Sequence, residues 1–203
     1  MDQLKLYMTT MSGNSFKVRV LASILGGELE EIHIDWDGRE HKSPAFLERN
    51  PRGQVPVMEI AGRTYWDSTA HLVYLARTYG GEEWLPTNPL DMAEVMQWMA
   101  FAQNEVQFGL MWARGVTIYN RRPEAMRGYL DDSRTALEVL TWQLRKTGDW
   151  LALGRPTLAE ISCYPYVKRG PQGQVPLETW PEVRAWLTRC EEIPGWFHLE
   201  DQP

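Results

Sequence analysis

The chain has 203 residues, a formal net charge of −6, and 43% hydrophobic against 24% charged residues, the composition of an ordinary globular protein. With no block of like charge, it lacks the basic footprint of a nucleic-acid binder or of a membrane anchor. No apolar run reaches the roughly 18 residues that span a bilayer, and no secretory signal precedes the first strand-like segment. Cys163 and Cys190 fit neither a disulfide framework nor a zinc motif. We therefore expect a cytoplasmic protein that holds no metal.

The first eighty residues alternate between strand-like and helix-like segments. Hydrophobic periods of two predict strands, and periods near 3.6 predict helices that end at glycine. The predicted order is strand Leu4–Met8, helix Ser15–Leu25, strand Glu31–Ile34, helix Ala45–Glu48, strands Val57–Ile60 and Thr64–Trp66, and a helix that Asp67 or Ser68 caps and Gly80 stops. This β-α-β-α-β-β-α order predicts a small α/β layer.

The second half of the chain is predicted to be all helical. Residues 82–89 contain two prolines and are typical of a linker. Apolar residues between Met126 and Leu144 recur every three or four positions, which predicts an amphipathic helix that Gly148 ends. Thr157 and Glu160 are spaced as a capping box at the start of a helix, and a final helix is expected at Pro181–Glu191.

Four segments of the α/β half carry polar groups that suit chemistry. A hydroxyl in Ser12–Val18 precedes a helix, where amides and the helix dipole favour a negative charge such as a thiolate. His41–Lys42 supplies two potential cations, Asn50–Pro56 is typical of a tight turn, which sometimes has a cis bond before its proline, and Asp67–Ser68 precedes another helix. Each segment alone also has a plain structural explanation, as a cap, a turn or a solvated surface.

The joint order of these segments resembles the glutathione transferase family. Glu40–Pro56 is similar to the plant phi class, and the SxNxxKV pattern from Ser12 is similar to bacterial and theta-like members. Pro156–Glu160 and Trp180–Trp186 are similar to the family's helical half. The resemblance implies a thioredoxin-like, glutathione-binding domain over residues 1–81, an all-α domain over residues 88–203, glutathione as co-substrate, and a homodimer.

The resemblance also implies the residues that hold glutathione. The Val55 backbone would pair with the cysteinyl part, the start of the helix after the last strand would hold the γ-glutamyl end, and the cations would face the glycine carboxylate. The implied glutathione-binding residues are His41, Lys42, Gln54, Val55, Pro56, Asp67 and Ser68. Asp67 departs from the glutamate of many members, which keeps the charge but shortens the reach.

The implied thiolate donor is Ser12, with Asn14 as the main alternative and Ser15 and Thr10 as minor candidates, and the sequence leaves the choice open. No cysteine lies near Ser12, which argues against the omega, beta and lambda classes and against a dithiol glutaredoxin. The zeta-class serine-serine-cysteine signature is also missing, which argues against a maleylacetoacetate isomerase.

The implied reaction is the conjugation of glutathione to a hydrophobic electrophile, as in detoxification. Aromatic and methionine side chains make an adaptable apolar pocket, although the same residues would also suit a helical core. The candidate pocket residues are Met11, Phe108, Trp112, Arg114 and Tyr119. The alternatives are a glutathione-dependent peroxidase or disulfide reductase, a carrier of apolar ligands, and an interaction protein without turnover.

Overall fold

The computed structural model describes residues 3–199, so the outer ends of the predicted domains, residues 1–2 and 200–203, lie outside the described part. The described chain forms two compact units, residues 3–82 together with 194–199, and residues 83–193. The first is an α/β unit and the second is helical, which confirms the predicted fold class. No helix within residues 3–199 combines the length and the apolar character that a membrane span requires.

The α/β unit is built on a four-stranded mixed sheet with the order β2-β1-β3-β4. Its strands are β1 (Leu4–Met8), β2 (Leu29–His33), β3 (Val57–Ile60) and β4 (Arg63–Trp66). Strand β1 alternates between fully buried and half-buried residues, as the period of two predicts. It pairs in parallel with β2 and antiparallel with β3, which pairs antiparallel with β4.

The helices of this unit begin and end where the sequence places caps. They are α1 (Gly13–Leu25), a 3₁₀ turn (Glu40–Lys42), α2 (Pro44–Arg49), and α3 (Ser68–Leu75), which continues as a π-helical turn (Ala76–Gly80) into the short α4 (Gly81–Trp84). Gly26 ends α1 with a left-handed φ of 68°, a conformation that glycine adopts without steric cost.

The strand register gathers the chemically interesting segments at one end of the sheet. Met8 is paired with His33 at the carboxyl ends of β1 and β2. Val57, the first residue of β3, lies beside Tyr7 on one side and Trp66, the last residue of β4, on the other. The segments that follow β1 and β4 and precede β3 therefore leave the sheet at the same end.

The C-terminal segment of the described chain packs on α1. Ser23 Oγ donates a hydrogen bond to the Gly195 carbonyl at 2.7 Å, and the Phe197 ring lies edge-on to Phe16 with centroids 5.2 Å apart. Gly195 has a φ of 85°, and a Cβ there would lie 2.9 Å from Ile24 Cα. This segment is therefore held by close backbone contact that requires glycine.

The helical unit begins with a long helix that is not regular throughout. Helix α5 (Pro89–Phe101) continues as a π-helical stretch (Ala102–Met111) and then as α6 (Trp112–Tyr119). The remaining helices are α7 (Met126–Thr147), α8 (Leu158–Lys168) and α9 (Pro181–Glu191), with 3₁₀ turns at Pro123–Ala125 and Gly170–Gly173. The predicted amphipathic helix, its stop at Gly148 and the final helix are confirmed.

The predicted capping box at the start of α8 is confirmed and is completely buried. The Thr157 amide and hydroxyl donate to Glu160 Oε2 at 2.8 and 3.1 Å, and the Leu151 amide donates to Oε1 at 2.7 Å. Burial raises the pKa of Glu160 to about 7 although these hydrogen bonds lower it. The carboxylate thus closes the helix start and fixes the preceding loop.

The predicted linker at residues 82–89 contains the boundary between the two units, which lies between Glu82 and Glu83. Trp84 and Leu85 in this segment are buried, and α4 runs into it. Cys190 lies near the end of α9 and is completely buried, and burial raises the pKa of its thiol well above the usual value. Cys163 is buried as well.

Candidate functional site

Ser12 and Asn14 stand at the start of α1, directly beyond the carboxyl end of β1. Ser12 is the N-cap, and its Oγ accepts a hydrogen bond from the Ser15 amide at 3.1 Å. Because no group within residues 3–199 accepts the Ser12 hydroxyl proton, this half-buried hydroxyl can still donate. The first turn of α1 has no acidic residue, so the positive end of its dipole is not neutralised locally.

Asn14 adds a second polar group at the same helix start. Its Oδ1 is buried and has no hydrogen-bond partner within the described chain. The amide oxygen and nitrogen of an asparagine are interchangeable by rotation, so this position can present either an acceptor or a donor. A buried amide oxygen that no group of the described chain satisfies is suited to a ligand.

The Asn50–Pro56 turn is fixed by its own polar groups. The Asn50 side chain is buried, donates to the Gln54 carbonyl at 2.7 Å and accepts from the Arg52 amide at 3.0 Å. Gly53 has a φ of 56°, and a Cβ there would lie 2.6 Å from the His41 carbonyl oxygen, so no larger residue fits. The expected cis bond between Val55 and Pro56 is confirmed.

The backbone of Val55 is open to a partner. Within residues 3–199 neither its amide nor its carbonyl takes part in a hydrogen bond, and the β1–β3 pairing stops at Val57. The residue is half-buried, and the neighbouring Gln54 side chain is exposed. An extended peptide could pair with these groups as an added strand does.

His41 and Lys42 lie in the 3₁₀ turn rather than in an open loop, and they differ in exposure. His41 is buried, and its ring stacks on Trp36 with centroids 4.0 Å apart. Lys42 is exposed, and its Nζ donates to the Arg52 and Gly53 carbonyls at 3.2 and 2.8 Å. An ammonium has three donors, so one remains for a ligand.

Asp67 and Ser68 form the start of α3, where β4 ends. Asp67 is the N-cap, and its Oδ1 accepts from the Thr69 amide at 3.0 Å while its Oδ2 accepts from Arg52 Nη1 at 3.0 Å. Burial raises the pKa of the Asp67 carboxyl, but these hydrogen bonds outweigh it and hold the pKa below the usual value. Ser68 is buried beside this charged group. The helix start therefore holds a carboxylate that stays ionised.

The chain is similar to known proteins over most of its length. Residues 2–77 match the family described as "Glutathione S-transferase, N-terminal domain". Glutathione S-transferase D7 of Anopheles gambiae is 32% identical over 197 residues, which cover 94% of this chain and 87% of that protein. The crystal structure of a possible glutathione S-transferase from Rhodopseudomonas palustris superposes with a TM-score of 0.90 at 34% identity, over 98% of this chain and 91% of that one.

The chain belongs to the glutathione S-transferase family. The resemblance found in the sequence is thereby confirmed. The family includes different reactions, since the maleylacetoacetate isomerase of Rhizobium meliloti is 29% identical over 200 residues, which cover 95% of this chain and 93% of that enzyme. Membership of the family therefore does not determine which reaction this chain catalyses, and the residues of the site must decide it.

The candidate electrophile residues of this family member lie in both units. In the α/β unit, Met11 is exposed beside Ser12. In the helical unit, Phe108 is exposed in the π-helical stretch, and Trp112, at the start of α6, stacks on Tyr129 with centroids 5.9 Å apart. That any of these exposed or half-buried side chains contacts an apolar electrophile remains a prediction.

Arg114 and Tyr119, the other two candidates, both lie on α6. Tyr119 is half-buried, and the Arg121 guanidinium lies 5.0 Å from the centre of its ring. Arg114 is buried, and its Nε donates to Gln172 Oε1 at 2.6 Å inside the helical unit. Its contacts are thus those of a residue that ties α6 to the Gly170–Gly173 turn, and a substrate contact by either residue stays a prediction.

Arg52, which has no function predicted from the sequence, contacts Asp67 at the start of α3. The signal that would have found it is a cation inside an otherwise uncharged turn, Asn50–Pro56. Within residues 3–199 no cluster of three or more histidine, cysteine, aspartate or glutamate side chains suits a metal ion.

Proposed function

We propose that the chain is a glutathione transferase that binds glutathione, stabilises its thiolate and adds it to a hydrophobic electrophile. The observation that carries the proposal is the Ser12 hydroxyl, which caps α1 through its oxygen and keeps its proton available to a sulfur. Such a donor at a helix N-terminus favours the thiolate over the thiol. A thiol pKa about two units below 8.5 corresponds to about 2.7 kcal/mol and makes the thiolate predominate at neutral pH.

The other segments at this end of the sheet supply partners for the rest of the tripeptide. The unpaired Val55 backbone would bind the cysteinyl part, and Gln54 would bond the peptide. The ionised Asp67 would bind the amine of the γ-glutamyl group. Ser68 and the backbone amides at the start of α3 would donate hydrogen bonds to the α-carboxylate of the same group. The remaining donor of Lys42 would reach the glycine carboxylate. His41 is buried against the Trp36 ring, so it would support the 3₁₀ turn that carries Lys42 and would not contact the glycine carboxylate directly.

The second substrate would be an apolar electrophile, and Met11, exposed beside Ser12, is its candidate contact in the α/β unit. Rate would come from thiolate formation and from the juxtaposition of two bound reactants. We infer a homodimer from the family resemblance, to be measured by sedimentation equilibrium. The sequence near Ser12 lacks a serine-serine-cysteine signature, which argues against the isomerase reaction of one relative.

The test is glutathione-dependent turnover of an activated aryl halide, an organic hydroperoxide and a dialkyl disulfide. We expect aryl halide conjugation, with kcat/KM reduced about 100-fold in Ser12→Ala, the equivalent of about 2.7 kcal/mol. Ser43→Ala is the matched control, since Ser43 Oγ caps α2 through the Phe46 amide at 3.2 Å and lies outside the proposed sulfur site. Both variants lose a cap and about 1 kcal/mol of stability, but only Ser12→Ala should lose activity.

Other outcomes would redirect the proposal. A larger loss in Asn14→Ala than in Ser12→Ala would make Asn14 the donor. Turnover of the hydroperoxide or the disulfide without conjugation would replace the transferase by a peroxidase or a reductase. Failure of the wild-type protein to bind glutathione in a calorimetric titration would leave an interaction protein.

A further inference from the structure

Arg52 lies in the Asn50–Pro56 turn, where hydrogen bonds fix its backbone and contacts with Trp66 and Asp67 hold its side chain. Its amide donates to Asn50 Oδ1 at 3.0 Å, and its carbonyl accepts from Lys42 Nζ at 3.2 Å, so the backbone is fixed. The guanidinium carbon lies 5.6 Å from the centre of the Trp66 ring, and Nη1 lies 3.0 Å from Asp67 Oδ2. The side chain thus reaches from one turn across to the start of α3.

This position combines a held cation with free donors. A guanidinium has five N–H groups, and within residues 3–199 Asp67 is the single hydrogen-bonding partner of the Arg52 side chain. The side chain is 43% exposed, so the remaining donors can reach a ligand. Each oxygen of Asp67 accepts one hydrogen bond, from Arg52 or from the Thr69 amide, and can accept a second. A ligand at this helix start therefore finds both a cation and an anion with free hydrogen-bonding capacity.

The γ-glutamyl end of glutathione carries two charges on one carbon, an α-carboxylate and an α-amine. The carboxylate suits the amides at the start of α3 and a planar guanidinium, which binds carboxylates with two parallel hydrogen bonds. Asp67 and Arg52 together present opposite charges 3.0 Å apart at that helix start. This spacing suits a zwitterionic carbon better than a simple amine or a simple acid.

We propose that Arg52 is a glutathione-binding residue whose guanidinium donates to the α-carboxylate of the γ-glutamyl group and thereby selects ligands that carry that carboxylate. The inference rests on the proposed binding of glutathione at this site. Asp67 holds the Arg52 guanidinium in place and binds the α-amine of the same γ-glutamyl group. Arg52 thus recognises the carboxylate of the ligand, and Asp67 recognises its amine.

Calorimetric titration with two analogues tests the assignment. The 4-aminobutyryl analogue of glutathione keeps the amine and lacks the α-carboxylate, and the glutaryl analogue keeps the carboxylate and lacks the amine. We expect Arg52→Ala to raise Kd about tenfold for glutathione and for the glutaryl analogue, but by less than about twofold for the 4-aminobutyryl analogue. Arg52→Lys should recover part of the lost affinity, because lysine keeps the positive charge but lacks the planar guanidinium that donates two parallel hydrogen bonds.

Arg63→Ala is the matched control, since Arg63 is an exposed arginine of the same sheet whose guanidinium lies over Tyr65, 5.5 Å from the ring centre. It should leave all three affinities unchanged. Equal weakening of glutathione and the 4-aminobutyryl analogue by Arg52→Ala would overturn the assignment, because Arg52 would then act through Asp67 or the turn. Equal wild-type affinity for those two ligands would overturn it as well. Wild-type protein that binds no glutathione would instead overturn the proposed function.

Discussion

The two units use the same local device, a hydroxyl at a helix N-terminus, in opposite ways. In the helical unit, Thr157 caps α8, and the carboxylate of Glu160, three residues later, folds back and accepts from the cap. In the α/β unit, Ser12 caps α1, but the first turn has no carboxylate to fold back. The first arrangement is closed, and the second remains open.

This difference separates a structural cap from a candidate binding site. A closed box satisfies its donors inside the chain and contributes stability. An open cap leaves a hydroxyl proton and a positive helix end for an anion from outside. Mutation should therefore affect mainly stability at Glu160 and mainly ligand chemistry at Ser12.

The largest effect is expected at the closed cap. Glu160→Ala leaves the Leu151 amide and both donors of Thr157 without their acceptor in a buried site. Each buried unsatisfied donor costs about 1–3 kcal/mol, so we expect the free energy of unfolding to fall by about 4 kcal/mol. Urea denaturation measures it. Glu138→Ala, on the exposed face of α7, is the control and should change stability by less than about 0.5 kcal/mol. Equal losses in the two variants would contradict the closed-box account.

The next effect is the pH dependence of the α/β unit. His71 is buried in α3 with Nε2 2.9 Å from the Tyr65 carbonyl, and burial lowers its pKa to about 4. The unfolded chain, with a histidine pKa near 6.5, binds the proton more readily, so stability falls as pH drops from 6.5 towards 4. The loss approaches about 3 kcal/mol at the low end of that window. Denaturation of His71→Gln should show a flatter profile, whereas the exposed His33→Gln should keep the wild-type slope.

Glu160 should give the opposite slope in the helical unit. Its folded-state pKa of about 7 exceeds the usual 4.5, so the folded state keeps the proton longer and stability falls as pH rises from 4.5 to 7. Amide protection factors, in which each exchange rate is corrected for its intrinsic pH dependence, measure the opening free energy of α3 and α8 separately. Opening free energies that change with pH in the same direction in both helices would contradict this contrast.

The smallest effect is expected at Lys42, which supports the open site indirectly. Lys42→Ala removes two hydrogen bonds to the carbonyls of Arg52 and Gly53 and one charge near the proposed glycine carboxylate. We expect KM for glutathione to rise about five- to tenfold, the equivalent of about 1 kcal/mol, with kcat unchanged. Lys5→Ala, which removes an ion pair to Glu59 within the sheet, should leave KM unchanged. A fall in kcat alone would contradict a binding role.

Features set by neighbouring residues were predictable from the sequence. The cap at Ser12, the cis bond before Pro56, the box at Thr157 and the stop at Gly148 all depend on side chains within a few positions. Local preferences and turn chemistry determine such features before any tertiary contact forms.

Features set by distant contacts were not predictable. Arg52 meets Asp67 fifteen residues away because β3 and β4 fold back on each other. His41 is buried by the Trp36 ring, and Trp84 is buried although two prolines follow it. These contacts form only in the folded chain, so local sequence patterns do not reveal them.

The most direct test of the open cap is the pKa of the glutathione thiol in its complex with the protein. Thiolate absorbance is followed against pH for the wild type, Ser12→Ala and Ser43→Ala, with each protein saturated with glutathione. The account predicts a thiol pKa near 6.5 in the wild type and in Ser43→Ala, about two units below the free value, and a return towards about 8.5 in Ser12→Ala. A wild-type thiol pKa near that of free glutathione, or one that Ser12→Ala leaves depressed, would contradict the claim that this cap generates the thiolate.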